Sequence, residues 1–570
     1  MLHDHWHLLE SPSPLPPLPI ENDKLRAVFA RRGVEDGEAF RRFVAPAMDD
    51  LHDPSTIHGI GHACERIERA VRDKETILIY GDYDVDGVTS IVLLQTVLRS
   101  LGADAAHVVP HRLVDGYGLK TEVIDRVLVD KDVKLVITVD CGITSVDPVR
   151  KAIERGIDVI ITDHHLPPGT LPSAAAVLNP KQPGCEYPFK ELAGVGVAFK
   201  LCCELIRRNS RKIAIRSLLK IAAIGTIADV APLVGENRTI VRLGLDGLTD
   251  ARNRGLRALL KRLGLSGRAV RASDVGFKIG PRINAAGRLA SADTAIQLFA
   301  AQSDDAAWEL CAELDRMNAE RQEIEQQVRA AAEEQIGGAS HPAFGHTLPA
   351  ARGEGRVLVL AGDGWHKGVL GLTAGRIAQK HYRPALVIGI ENGHAVGSAR
   401  SIRGVNLHAQ LEGVADLFTH FGGHELACGF SLPTANLPAL RERLAEQFRM
   451  LDDEVFVRTA FVDAELTLAE LDARFLEAHE MLQPFGNGNP QPLFLARGIE
   501  VTGTRTFAED CCELSVQDGT ARGAAVLWPS VKELGPELVR GRVDLLFQVE
   551  PNTYAPNGVR LSIVDARRSA

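Results

Sequence analysis

Thr76-Ile-Leu-Ile-Tyr-Gly-Asp-Tyr-Asp-Val-Asp-Gly87 begins as an apolar run and ends in three acids at alternate positions before a glycine. The first five residues are apolar without alternation, the pattern of a strand buried on both faces of a parallel sheet. Two similar runs follow, Leu135–Val139 (LVITV) and Asp158–Ile161 (DVII). Between the runs lie helical stretches at Ser90–Ser100, Glu122–Val129 and Pro148–Arg155. Strand–helix–strand alternation predicts an α/β domain with a mostly parallel sheet. Ligands of such sheets sit beyond the carboxyl ends of the strands, and each of these strands ends in a polar cluster.

The first cluster is Asp82, Asp84 and Asp86, and a core has no use for three unpaired carboxylates. Asp-x-Asp-x-Asp-Gly also opens a calcium-binding EF-hand. Here, however, a strand precedes it and Leu93 stands where that loop needs Glu. The second cluster is Asp140, in Val139-Asp-Cys-Gly142, and the third is Thr162-Asp-His-His165. The fourth is Asp229, an isolated acid in the apolar stretch Gly225–Val230. Singly, an acid after a strand is more often a helix cap than a ligand. Together they form a constellation around Asp84, Asp86, Asp140, His164 and Asp229. Two divalent ions about 3.5–4 Å apart, bridged by one Asp, would balance their charge. Asp with His suits Mn²⁺ or a similar ion, and such a pair stabilises charge on a phosphoryl oxygen. The expectation is a metal-dependent phosphodiesterase acting on nucleic acid.

Residues 1–50 read as an N-terminal arm, Pro-rich from Ser11 to Pro19, with a helical region around Asp23–Phe43. Residues 51–302 form the first α/β domain. Residues 303–337 read as one long helix with an apolar stripe of Leu310, Leu314, Met317, Ile324 and Val328. Ser303-Asp-Asp305 starts it and Gly337-Gly338 stops it. At 1.5 Å per residue it spans ~50 Å, enough to bridge two domains; a coiled-coil partner helix is the competing reading. Residues 338–450 form a second α/β unit whose first strand is Arg356–Leu360. Residues 451–496 are a connector. Residues 497–570 are all-β, with strands at Gly498–Phe507, Glu513–Gln517, Ala524–Trp528, Val543–Val549 and Val559–Val564. Five short strands suit a small barrel of the oligonucleotide-binding type or a β-sandwich.

At 570 residues, two to four domains are expected. No apolar run reaches the ~18 residues of a membrane span, and no basic-then-apolar leader is visible at the N-terminus. The nine cysteines show no CxxC spacing, which fits free thiols in a reducing cytoplasm. A net charge of −9 argues against a protein coated in positive charge, not against a local phosphate-binding groove.

The motifs GDYDVDG, VDCG, TDHH and IADV together resemble those of the DHH phosphoesterase superfamily, most closely its branch of single-strand-specific 5′→3′ exonucleases. The resemblance extends over nearly the whole chain, through Val109–Gly118, Leu192–Ala198, Gly280–Arg288, Gly364–Val369 and Phe421–His424. It implies Mn²⁺ or Mg²⁺ ligands at Asp84, Asp86, Asp140, His164 and Asp229, with Asp140 as the bridge. It implies that His165 touches the scissile phosphate or orients a ligand. Many superfamily members carry a His four residues before the first ligand Asp. Tyr80 stands there in this chain, so Asp82 is expected to compensate, directly or through water. Asp82, Asp140 and His165 are then the catalytic set.

The second unit resembles the DHHA1 domain, a substrate-binding partner. Arg112, Ser398 and Arg400 are expected to hold a 5′-terminal phosphate, and Arg282, Arg288 and His424 to lie near the strand's backbone. From the residues alone, each isolated Arg reads first as a surface ion pair. Trp365-His-Lys367 reads as a stacking group, a helix cap or interface packing. The C-terminal barrel resembles the family's oligonucleotide-binding module, which extends a single-strand track. The implied activity is processive removal of nucleotides from the 5′ end of single-stranded DNA, in repair and recombination. The implied setting is a cytoplasmic monomer working beside a helicase and a single-strand-binding protein, away from membranes. Two rivals remain. One is a DHH enzyme of short oligoribonucleotides or cyclic dinucleotides, which generally lacks the long connector and barrel. The other is a non-enzymatic scaffold for replication proteins, which tends to lose metal ligands that this chain keeps.

Overall fold

The computed structural model describes all residues except 1, 113–117, 129–131, 211–212, 338–354, 508–510, 535–540, 553–557 and 570. Residues 113–117, half of the stretch Val109–Gly118, and the start of the second unit therefore lie outside the described residues.

The three strands read from the sequence sit at the centre of a five-stranded, all-parallel sheet. Its order is Ala106–Val108, Thr76–Gly81, Val133–Val139, Asp158–Thr162, Ala176–Leu178. The register aligns their ends: Gly81 lies opposite Val139, Val139 opposite Thr162, and Thr162 opposite Leu178. The next residues of the four strands, Asp82, Asp140, Asp163 and Asn179, thus leave the sheet side by side. Helix Val85–Leu101 follows the first of these ends. Asp84 caps it, accepting from the Asp86 and Gly87 N–H groups at 2.9 and 3.1 Å. The helix is apolar nearly all round and correspondingly buried, packed against helices Gly194–Arg208 and Ile215–Ala228.

The long helix runs from Asp304 to Ile336, with Ser303 Oγ accepting from Ala306 N–H at 3.1 Å. Ala307, Cys311, Leu314, Asn318, Arg321, Glu325, Val328 and Ala332 are buried, at strict three- and four-residue spacing. Its first half belongs to the core of the parallel-sheet domain and its second half to a cluster in the next unit. The helix therefore bridges two domains and finds its packing partners within the chain. Polar positions on the buried stripe are paired: Arg321 donates to Asn318 Oδ1 at 2.6 Å, and Glu325 pairs with Arg376 of the second unit and lies 3.5 Å from Arg329.

The second unit is a mixed sheet of order His420–His424, Ala427–Pro433, His394–Arg400, Ala385–Glu391, Leu358–Asp363; only the last pair is parallel. The strand expected at Arg356–Leu360 starts two residues later, at Leu358. Ala427 lies opposite both His424 and Arg400, which places those two side chains at one end of the sheet.

At the C-terminus, Phe494–Phe507, Cys511–Asp518, Ala521–Leu527, Val559–Arg568 and Gly541–Pro551 pair in that order, and the last pairs back with the first. The closure makes a barrel of the oligonucleotide-binding type and excludes the sandwich. The N-terminal arm is not free. Leu18, Ile20, Leu25, Val28, Phe29 and Val34 are buried in the same core as Phe494, Leu514 and Phe547. Strand His5–Leu8 pairs with Thr459–Val462, and Ala464–Glu465 adds to the barrel strand that begins at Phe494. Helix Ala473–Glu480 packs Phe475 on Phe494. Much of the stretch 451–496, read as a connector, thus makes contacts of its own. Among the described residues, no helix is long and apolar enough to cross a membrane.

Candidate active site

The aligned strand ends assemble the acids. Asp140 N–H donates to Thr162 O at 3.0 Å, and Asp140 takes a left-handed backbone with φ 59°. That conformation is uncommon for a residue with a side chain and is often found at functional sites. Asp86 is gripped by the start of the next long helix: Gly194 and Val195 N–H donate to its two oxygens, each at 2.7 Å. A Cβ on residue 194 would lie 2.5 Å from Asp140 Oδ1, so only glycine lets this helix end approach the carboxylates. Asp229 caps the C-terminal end of helix Ile215–Ala228.

Three overlapping groups result: Asp82 with Asp84 and Asp140; Asp86 with His164 and Asp229; Asp140 with His164 and His165. Within each group the ligating atoms lie within 4.8 Å of one another. His164 is shared between groups, with Nε2 3.2 Å from Asp140 Oδ1 and Nδ1 4.0 Å from Asp229 Oδ2. The 3.2 Å approach lacks hydrogen-bond geometry; both its atoms, and Asp82 Oδ1, are buried without a hydrogen-bond partner.

Burial, then the Asp84 charge, pushes Asp86 up to about 7. Burial, then Asp86 and Asp84, pushes Asp229 up to about 9. Asp82 and Asp140 are raised well above the carboxylate range by burial and by their acidic neighbours. Burial, then His165, lowers His164 to about 3, leaving a neutral imidazole. Mutually repelling buried carboxylates, a neutral imidazole and orphaned ligand atoms are what divalent cations relieve. The donor set fits them, with Asp140 and His164 common to more than one group.

His165 is held differently. Its Nδ1 lies 2.7 Å from Asp163 Oδ1. Asp163 also accepts from the N–H groups of Ile143 (2.9 Å), His164 (2.7 Å) and His165 (3.1 Å). Burial works against both charges, yet the hydrogen bond between them keeps Asp163 below its ordinary range and His165 above. Asp163 is thus the clamp of the motif, a function sequence reading did not assign, although its place at a strand end before His-His was a usable signal. Asn284 Oδ1, accepting from Val85 N–H at 3.2 Å, was likewise missed. Tyr80, in the position of the superfamily's His, buries its ring beside the sheet and donates its hydroxyl to Gly118 O at 3.0 Å. Asp82, by contrast, stands in the first acidic group.

The second unit supplies the opposite wall. The His424 ring stacks on His165, centroids 6.3 Å apart and planes 14° from parallel. Arg400 Nη1 donates to Ser398 Oγ at 3.2 Å, and both residues abut Gly371 at the start of helix Leu370–His381. Burial, then Arg112, lowers both Arg400 and Arg288, the latter to about 9. The Arg112 charge therefore opposes those of both Arg288 and Arg400, a setting that attracts an anion. Arg112 lies 4.9 Å over the Tyr83 ring, and Arg288 donates to Gly368 O at 3.3 Å, across the two units. Arg282 is directed elsewhere: it pairs with Asp315 of the long helix at 2.5 Å and donates to Lys278 O at 2.9 Å. Trp365 packs in the cluster with Leu360 and Val387, and His366 accepts from Gly368 N–H at 3.1 Å within its own turn.

Family models match three stretches: the DHH family N-terminal domain at residues 76–226, the DHHA1 domain at 354–450 and the RecJ OB domain at 462–565. The chain is similar to the single-stranded-DNA-specific exonuclease RecJ of Bacillus subtilis, 40% identical over 84% of this chain; it spans 59% of that relative's length. It is 36% identical to the RecJ of Salmonella typhimurium, over 86% of this chain and 84% of the relative. The crystal structure of Thermus thermophilus RecJ in complex with Mn²⁺ superposes with a TM-score of 0.83 at 29% identity, covering 99% of this chain and 80% of that one. The same protein in complex with Mg²⁺ gives a TM-score of 0.77 at 27% identity, covering 99% of this chain and 79% of that one. Domain content, order and extended identity agree, and the chain belongs to the RecJ family.

Proposed function

We propose that the chain is a metal-dependent exonuclease specific for single-stranded DNA that removes nucleotides from the 5′ end. The observation that carries this reading is the apposition of the acidic groups and His165 to His424 and the Arg112–Ser398–Arg400 group across one cleft. Asp82, Asp84, Asp86, Asp140, His164 and Asp229 would hold two divalent ions, Mn²⁺ or Mg²⁺. When bound, such ions supply an activated water and charge stabilisation at the scissile phosphate. His165, whose protonated form the Asp163 carboxylate favours, donates a hydrogen bond to a phosphate oxygen. Arg112, Ser398 and Arg400 receive the 5′-terminal phosphate, aided by the N–H groups at the start of helix Leu370–His381. Arg288 and His424 line the backbone beside it. The cleft between the two α/β units admits one strand, and the barrel continues the track.

The enzyme acts in repair and recombination as a cytoplasmic monomer, on strands exposed by a helicase and covered by a single-strand-binding protein. Incubation of single-stranded and duplex DNA with Mn²⁺, Mg²⁺ or chelator tests the reading. Digestion of the single strand alone, abolished by chelator, is expected; equal digestion of duplex without a helicase overturns it.

A further inference from the structure

Beyond the residues already placed, we propose that Lys181 is a substrate-binding residue that receives the backbone phosphate directly 3′ of the one cleaved. The inference rests on the exonuclease reading above.

The first support is position. The strand Ala176–Leu178 ends level with the three acid-bearing strands, and Asn179 follows it into the site. Asn179 is fully buried and joins two backbones: its Nδ2 donates to His165 O and its Oδ1 accepts from Lys181 N–H, both at 2.8 Å. One side chain therefore fixes where Lys181 starts relative to His165.

The second support is the distribution of charge. Arg112 acts on Asp82 and Tyr83, and Arg288 lies beside Asp84. At the other end of the row, the Lys181 ammonium acts on His164, Asp229 and, from the opposite wall, His424. The acidic groups thus lie between an arginine end and a lysine end. A strand with its terminal phosphate at the arginine end and its scissile phosphate at His165 brings its next phosphate to Lys181. Among the described residues the ammonium makes one ion pair, a loose one 3.6 Å from Glu191, whose side chain is 52% exposed against 22% for Lys181. Such a pair is worth little and a phosphate can displace it.

A double-substitution cycle tests this on a 5′-phosphorylated oligothymidylate about a dozen nucleotides long. In one version the phosphate between the second and third nucleotides is a neutral methylphosphonate. Lys181→Ala is expected to lower kcat/KM for the all-phosphate strand about tenfold, as the methylphosphonate does for the wild type, consistent with one charge-assisted contact. Combined, the two changes cost no more than either alone within about twofold, and Lys181→Arg restores most of the rate. An active wild type in which the two penalties multiply, or in which Lys181→Ala costs nothing, overturns this inference alone. A wild type that leaves the strand intact overturns the exonuclease reading and this inference with it.

Discussion

His165 of the parallel-sheet domain and His424 of the second α/β unit stack across the cleft, 6.3 Å between ring centroids and 14° from parallel. The contact ties the wall that bears the acids to the wall that bears Ser398 and Arg400. His424→Ala is expected to lower kcat/KM on single-stranded DNA about tenfold, the worth of one hydrogen bond to a charged group. The Mn²⁺-induced rise in Tm should stay that of the wild type, since His424 lies in none of the three ligand groups. Steady-state kinetics beside a thermal-shift titration checks both.

Asp163→Asn keeps the shape of the clamp but removes the charge that orients His165 and favours its protonated form. A loss of about 10²-fold in kcat is expected, the upper range for a partner of a site histidine. Single-turnover cleavage with saturating Mn²⁺ measures it.

Cation binding should strengthen with pH. Asp86, at about 7, and Asp229, at about 9, hold protons below those values, and a cation must displace them. These folded-state values lie above the unfolded ones, so the folded chain binds more protons and loses stability as pH rises through the interval. The increase in Tm on adding Mn²⁺ should therefore be larger at pH 9 than at pH 6, and the cation-free Tm lower at pH 9.

Asp565 fastens the chain's beginning to its end. Its carboxylate accepts from Leu2 and His3 N–H at 2.9 Å and from Trp6 Nε1 at 3.1 Å. Burial alone would raise it, but the hydrogen bonds from His3, Leu2 and Trp6 hold it far below the carboxylate range. This contribution is complete above the unfolded value of about 4 and is lost as pH falls toward the folded one. Asp565→Ala should cost about 2–3 kcal/mol and expose the first strand. Hydrogen exchange of residues 2–8 reports the exposure, at neutral pH in the variant and on acidification in the wild type.

Much of the site was legible because the chemistry sits at strand ends. Asp84, Asp86, Asp140 and His164 each follow a continuous apolar run, and a parallel sheet brings such ends together. Asn179 and Lys181 escaped notice because Ala176–Leu178 is three residues long, too short to carry a periodicity. The partner of Arg282, Asp315, depends on how two helices cross, which neither segment encodes alone. The N-terminal helix looked like part of an arm because the apolar face of Leu25, Val28 and Phe29 finds its core more than 400 residues away, beside Phe494 and Phe547. Tyr80 was noticed as a departure, but its bond to Gly118 could be learned only from the fold.

In the proposed reaction the arginine end of the cleft captures a 5′ terminus and the acids cut beside it. Digestion of single strands blocked at one end by biotin–streptavidin, in Mn²⁺, tests it most directly. A 3′ block is expected to leave the initial rate unchanged and a 5′ block to abolish it. Rapid digestion of the 5′-blocked strand, with the 3′-blocked strand intact, would contradict it.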